Sequence, residues 1–171
     1  HKPNLKGKMG PPPVIPSVPR PVNLDDYKSH ASRILPKNAY DYYASGANDQ
    51  ITLSENRAAF ERLRIVPRVL RDVSSVDCST TLLGTARVKY PICVAPTAMQ
   101  RMAHDDGEKA TARACAGSGG GNGEDATLMC LSSWSTTSLE DVMNAAPSGG
   151  GPKWFQLYVY KSRDVTLDLV R

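Results

Sequence analysis

An α/β fold built on a parallel sheet is predicted for the second half of this sequence, and three observations predict it. Three short apolar runs, "YPICVAP", "TLMCL" and "WFQLYVY", lack the polar alternation of a strand with one wet face. Each is followed by a segment with helical spacing of its apolar residues. Each of those segments also opens on a capping residue. Strands without alternation, separated by helices, imply a parallel sheet covered on both faces.

The elements follow in order. Residues 1–21 carry seven prolines and read as a flexible, extended tail, leaving 22–171 as the folded part. Asn23 caps a helix whose apolar side is Leu24, Tyr27, Ala31, Ile34 and Leu35. Pro36 suits the first turn of a second helix through Tyr40, Tyr42 and Tyr43, ending near Ser45-Gly46. Thr52-x-x-Glu55 is a capping-box pattern, followed by Leu53, Ala59, Phe60 and Leu63 on one face. Residues 65–90 read as a small hairpin or irregular cap. Asp105-x-x-Glu108 then opens the alanine-rich helix "GEKATARACAG", with Gly117 as its C-terminal stop. Ser138-x-x-Asp141 opens a helix burying Leu139, Val142, Met143 and Ala146, and Ser162 one with Val165 and Leu169 on one side.

Composition excludes several classes. The 171 residues, 40% hydrophobic and 22% charged, are those of an ordinary globular domain. The net charge of +4 comes from 21 basic and 17 acidic residues interspersed along the chain, and only 6% are aromatic, which argues against a nucleic-acid partner. No run has membrane-spanning length and no signal peptide opens the chain. Cys78, Cys93, Cys115 and Cys130 form no C-x-x-C pair; Cys93 and Cys130 fall in apolar runs and read as buried, reduced thiols of an intracellular protein. His1, His30 and His104 do not cluster, so no metal site is expected.

The glycine-rich "GSGGGNGED" contains a G-x-G-x-x-A match, but a dinucleotide cradle needs strand, glycines, then helix. Here a helix precedes and a strand follows, so the stretch reads as a surface connection. The three strand ends, "APTAMQ", "SSWS" and "QLYVYK", are better placed for a site. Ligands of parallel α/β folds gather at the C-terminal ends of strands. One such end is explained by a loop start or a helix cap; three in succession point to a site.

"LPKNAYDYYASGANDQITLSENRAAF", "PICVAPTAMQRMAH", "LSSWSTTSLEDV" and "WFQLYVYKSRD" together resemble the FMN-dependent 2-hydroxy-acid oxidase and dehydrogenase family, with particular likeness to its glycolate-oxidising members. The resemblance spans residues 22–171. It implies the N-terminal part of a TIM (β/α)8 barrel, about three βα units preceded by helices, with FMN at the C-terminal mouth. Pro96, Thr97 and Ala98 would lie along the flavin ring, the Ala98 N–H facing N5. Ser132 and Gln156 would hydrogen-bond the polar edge of the flavin. Tyr42 would bind the substrate carboxylate, Tyr158 would act on its hydroxyl, and Trp134 would line the substrate pocket. Residue by residue, plainer alternatives stand beside these roles: a strand-end cap for Ser132, a self-satisfied polar core residue for Gln156, an apolar filler for Trp134. His104, the general base that a search by residue type would choose, reads as a structural residue at a helix start.

The resemblance further implies oxidation of a small (S)-2-hydroxy acid to the 2-oxo acid, with oxygen reduced to hydrogen peroxide. The parent protein is expected to be homo-oligomeric and peroxisomal. A complete barrel takes about 250 residues, so this chain is expected to be a fragment lacking the family's catalytic histidine, substrate arginine and phosphate loop, and to be colourless by itself. Two alternatives remain: a lactate- or mandelate-type dehydrogenase that passes electrons to another acceptor, and a catalytically dead interaction module.

Overall fold

The computed structural model describes residues 20–117, 126–146 and 150–170, in two compact units divided between Ala44 and Ser45. Residues 1–19 of the expected tail and 118–125 of the glycine-rich stretch lie outside the described residues.

The first unit holds two helices, α1 (Leu24–Ile34) and α2 (Lys37–Ala44). Asn23 caps α1 as its sequence implies: its Oδ1 accepts the Asp26 N–H at 2.9 Å. Asp25 and Asp26 in the first turn and Arg33 in the last suit the helix dipole. The expected apolar face of α1 is uncovered, since Leu24, Tyr27 and Ile34 are all exposed. Helical spacing tells which residues share a face, not what packs against it.

The second unit begins with α3 (Ile51–Glu61). It starts one residue before Thr52, from Gln50 in the left-handed region without a side-chain cap, so the expected capping box does not form. Phe60 and Leu63 are exposed rather than core residues. Strands β1 (Thr80–Leu82) and β2 (Ala86–Val88) make the hairpin anticipated between 65 and 90, with Leu82 opposite Ala86. Its turn takes positive φ at both Leu83 and Gly84, the hand that matches strand twist. Gly84 adopts this freely, whereas Leu83 costs about 1 kcal/mol there.

The parallel sheet is made of three adjacent runs. β3 (Met129–Leu131) pairs in parallel with β4 (Lys153–Phe155), Cys130 opposite Trp154. The first run contributes only a parallel bridge, Val94 with Met129, tied by Val94 N–H to Leu128 O and Cys130 N–H to Val94 O, both 2.9 Å. Pro91 and Pro96 flank this run, and neither has an N–H to extend the ladder. Cys93 is accordingly exposed, not the buried strand residue its neighbours suggest; Cys115 is the buried thiol. Burial pushes the Cys115 and Cys130 thiols up.

Helices α4 (Gly107–Cys115) and α5 (Leu139–Ala145) make the connections, and α6 (Arg163–Val170) follows β4. Ala112 and Cys115 of α4 pack with Met129, Leu131 and Val142. Ser138 caps α5, accepting the Asp141 N–H at 3.2 Å. Of the face expected for α5, only Val142 is buried. Leu139 and Met143 instead line an apolar cavity of about 250 Å³ with Trp154 and Phe155. In α6, Thr166 is the buried residue, while Val165 and Leu169 are exposed. Gly117, at φ +79°, stops α4 as expected. Asp105 does not cap α4: Asp106 precedes the helix with no side-chain cap, and Glu108 turns inward. Among the described residues no helix is long and apolar enough to cross a membrane.

Close packing at Gly151 gives a test of this sheet. A Cβ there would come within 2.7 Å of Ala126 Cβ and 2.8 Å of Thr127 O. A backbone oxygen cannot swing aside. Gly151→Ala is expected to lower unfolding free energy by about 1–3 kcal/mol, read as a lower urea midpoint at unchanged slope.

Candidate functional site

The three strand ends meet. The Met99 N–H donates to Trp134 O at 3.0 Å, joining the loop after Val94 to the loop after β3. The Gln156 N–H donates to Leu131 O at 2.8 Å, joining the residue after β4 to the end of β3. Pro96, Thr97, Ala98, Ser132, Trp134, Gln156 and Tyr158 therefore all lie at the C-terminal ends of adjacent parallel runs. Tyr42 belongs to the first unit, where it sits on α2, exposed and edge-on to Tyr43.

Ser132 and Gln156 are bonded to each other. Ser132 is buried; its hydroxyl donates to Gln156 Oε1 at 3.2 Å and accepts the Trp134 N–H at 3.1 Å. Gln156 Oε1 also accepts the Ser133 N–H at 3.3 Å. A backbone N–H can only donate, which fixes the orientation of the Gln156 amide. Its oxygen faces the β3 loop, and its NH₂ end points away with no protein acceptor among the described residues. Among the described residues no buried side-chain polar atom lacks a partner, so this NH₂ lies open. The Ala98 N–H likewise donates to no protein group among the described residues. The arrangement thus presents two open donors, one backbone and one side-chain, beside a buried hydroxyl with one lone pair to spare. Trp134 and Tyr158 are both exposed.

His104 has the structural role foreseen. Its Nδ1 accepts the Asp106 N–H at 3.1 Å and its carbonyl accepts the Gly107 N–H at 2.9 Å.

One central residue was read differently in the sequence. Glu108, taken there as the end of a capping pattern, is 0% exposed and bonds to the loops that follow the first two parallel runs. Its Oε1 accepts the N–H groups of Gln100 and Thr136, each at 3.0 Å. Its Oε2 accepts the hydroxyls of Thr136 at 2.8 Å and Thr137 at 2.7 Å. Burial pushes the carboxyl up, but the bonds from Thr136, Thr137 and Gln100 outweigh it and hold the pKa at about 2. The signal was present: Glu108, Ala112 and Cys115 recur at helical spacing, and all three face the core.

Relatives of known activity share this sequence and shape. Human 2-hydroxyacid oxidase 1 is 53% identical over 154 residues, 90% of this chain and 39% of that protein. Maize glycolate oxidase 1 is 55% identical over 149 residues, 87% of this chain and 37% of that one. The chain therefore spans about two-fifths of the length of these relatives. The flavin-binding domain of baker's yeast flavocytochrome b2 superposes with a TM-score of 0.81 at 38% identity, over 91% of this chain and 38% of that one. Mandelate oxidase bound to (S)-4-hydroxymandelic acid does so at 0.75 and 36%, over 88% and 39%. The model of the FMN-dependent dehydrogenase family matches residues 31–171, and with these relatives it shows that the chain belongs to that family.

Proposed function

We propose that this chain forms the first βα units of a TIM barrel and supplies one side of the FMN and substrate site of a 2-hydroxy-acid oxidase. The protein would convert a small (S)-2-hydroxy acid such as glycolate, with oxygen, into the 2-oxo acid and hydrogen peroxide. The observation that carries this is the pair of open donors, Ala98 N–H and Gln156 NH₂, at the ends of adjacent parallel strands. A flavin ring has carbonyl oxygens and ring nitrogens along its polar side, which such donors suit. FMN, when bound, would supply the acceptor for the hydride equivalent leaving the substrate carbon.

The chain's own residues then divide the work. Gln156 and Ala98 would hold the ring, and Ser132 would offer it the remaining lone pair while keeping Gln156 oriented. Pro96 and Thr97 would form the floor beside it. Tyr158, whose phenol has no protein partner among the described residues, would hydrogen-bond the substrate hydroxyl. Tyr42 would take the carboxylate, and Trp134 would bound the pocket and favour short side chains. The likeness to flavocytochrome b2 keeps a second reading open, in which electrons pass to another acceptor.

The protein carrying this sequence is expected to purify yellow and to release peroxide stoichiometrically from glycolate. Gln156→Leu should raise the FMN dissociation constant about tenfold, the worth of a hydrogen bond to an otherwise unpaired donor. Tyr158→Phe should lower kcat about tenfold or more while leaving FMN affinity unchanged. Dye reduction without peroxide would favour the second reading. A colourless protein, inert toward glycolate, lactate and mandelate, would overturn both.

A further inference from the structure

We propose that Glu108 is a positioning residue, a brace whose length locks the first two strand-end loops together and fixes the spacing of the groups they carry toward the ligand. The proposal rests on the flavin reading of the site.

The carboxylate reaches both loops at once, Gln100 in the first and Thr136 and Thr137 in the second. No ion pair to it occurs among the described residues; it is held by N–H and O–H donors alone. From there the ties run outward. The Gln100 side chain donates to Thr97 O at 3.3 Å and accepts the Thr111 hydroxyl at 2.6 Å. The Thr136 hydroxyl accepts the Arg101 N–H at 3.1 Å. Met99 N–H bonds Trp134 O. Ala98, which makes no hydrogen bond of its own through its N–H, is thus held on both sides, at Thr97 and at Met99. The position of its N–H is set by this lattice, at whose centre Glu108 stands.

Span and charge make separable predictions. Glu108→Asp keeps the charge but is one methylene too short to reach both loops. Glu108→Gln keeps the reach; its oxygen can still accept both backbone N–H groups, and the two threonine hydroxyls can rotate to accept from its NH₂. A brace defined by length therefore tolerates Gln and fails with Asp.

The test compares wild type, E108D and E108Q in two measurements. Amide hydrogen exchange without added FMN should speed up at both Gln100 and Thr136 in E108D, with the β1–β2 hairpin amides unchanged, and E108Q should stay near wild type. FMN titration should show a dissociation constant raised about tenfold in E108D, and within about threefold of wild type in E108Q; small misplacements of binding groups carry penalties of this order. Fewer folded molecules would lower the amount of bound flavin but not the affinity of the rest. Should E108D not fold, Thr136→Val removes only the hydroxyl linking Glu108 to Arg101, and a smaller change in the same direction is expected. Wild-type exchange in either loop of E108D, or E108Q as impaired as E108D, overturns the brace. A wild-type protein that binds no FMN overturns the flavin reading instead, and the exchange rates still decide whether the loops are coupled.

Discussion

Glu108→Ala is expected to remove about 3 kcal/mol of folding stability. The substitution strips the acceptor from four donors at once, of which the Thr137 hydroxyl is buried and the Gln100 N–H half-buried. Hydrogen bonds to a charged group are worth about 1.5–3 kcal/mol each, and the exposed Thr136 groups can recover part of theirs from water. The same donors hold the folded carboxyl at about 2 rather than 4.5, so part of this stability depends on its charge. Because the folded pKa is the lower one, the charge-dependent part of this stability is present above pH ~4.5 and is lost as pH falls toward ~2, while the part that rests on the reach of the side chain remains. Urea denaturation at neutral pH reads the loss directly. Repeated in acid, the gap between wild type and Glu108→Ala should shrink. A gap that stays constant across that range would mean the carboxylate is not what the loops hold.

Leu128→Ala is expected to cost a similar amount, about 3 kcal/mol within the 2–5 usual for such truncations. Leu128 is 1% exposed and packs with Ala86, Val88 and Leu82, so it is the apolar link between the β1–β2 hairpin and the parallel sheet. Its neighbours are poorly able to refill the space: Ala86 is small, and Val88 is already fully buried in its own strand. One backbone bond, Lys89 N–H to Ala126 O at 3.0 Å, would remain to hold the hairpin beside it. Thermal or urea unfolding measures the loss, and exchange at the Thr80 and Val88 amides locates it. A loss under about 1 kcal/mol would show that the hairpin does not depend on this side chain.

Much of the architecture was legible because it is written in local chemistry. Asn23 and Ser138 each cap the helix that follows, since a short polar side chain there directly satisfies an orphan N–H. The parallel runs were legible from their lack of alternation, and their ends from residues a buried strand does not use. What misled was also local. Thr52-x-x-Glu55 and Asp105-x-x-Glu108 resemble the Ser138 pattern in sequence, yet neither caps a helix. The chain enters α3 through a left-handed Gln50 and enters α4 through Gly107 at φ +46°, so the start of each helix is shifted off the pattern. Glu108 was thereby read as the end of a capping pattern, although its spacing with Ala112 and Cys115 puts it on the buried face. Coverage of an apolar face is a tertiary property: Phe60 and Met143 have the spacing and remain exposed, and Leu63 falls beyond the end of α3. The site followed the same division. Residues 96–98, Ser132, Trp134, Gln156 and Tyr158 share the ends of adjacent parallel runs, whereas the Glu108 carboxylate answers to contacts between loops far apart in sequence.

The order of the parallel runs carries a kinetic consequence. Val94 meets Met129, and β3 meets β4, so each run lies against the one just before it in the chain. Each of these sheet contacts closes a loop of only a few tens of residues. As the chain leaves the ribosome, each new βα segment finds its template already made, so the sheet can grow in the direction of synthesis. Glu108 would be sealed in only when the Thr136–Thr137 loop arrives, so the first loop is complete in sequence before it is fixed in place.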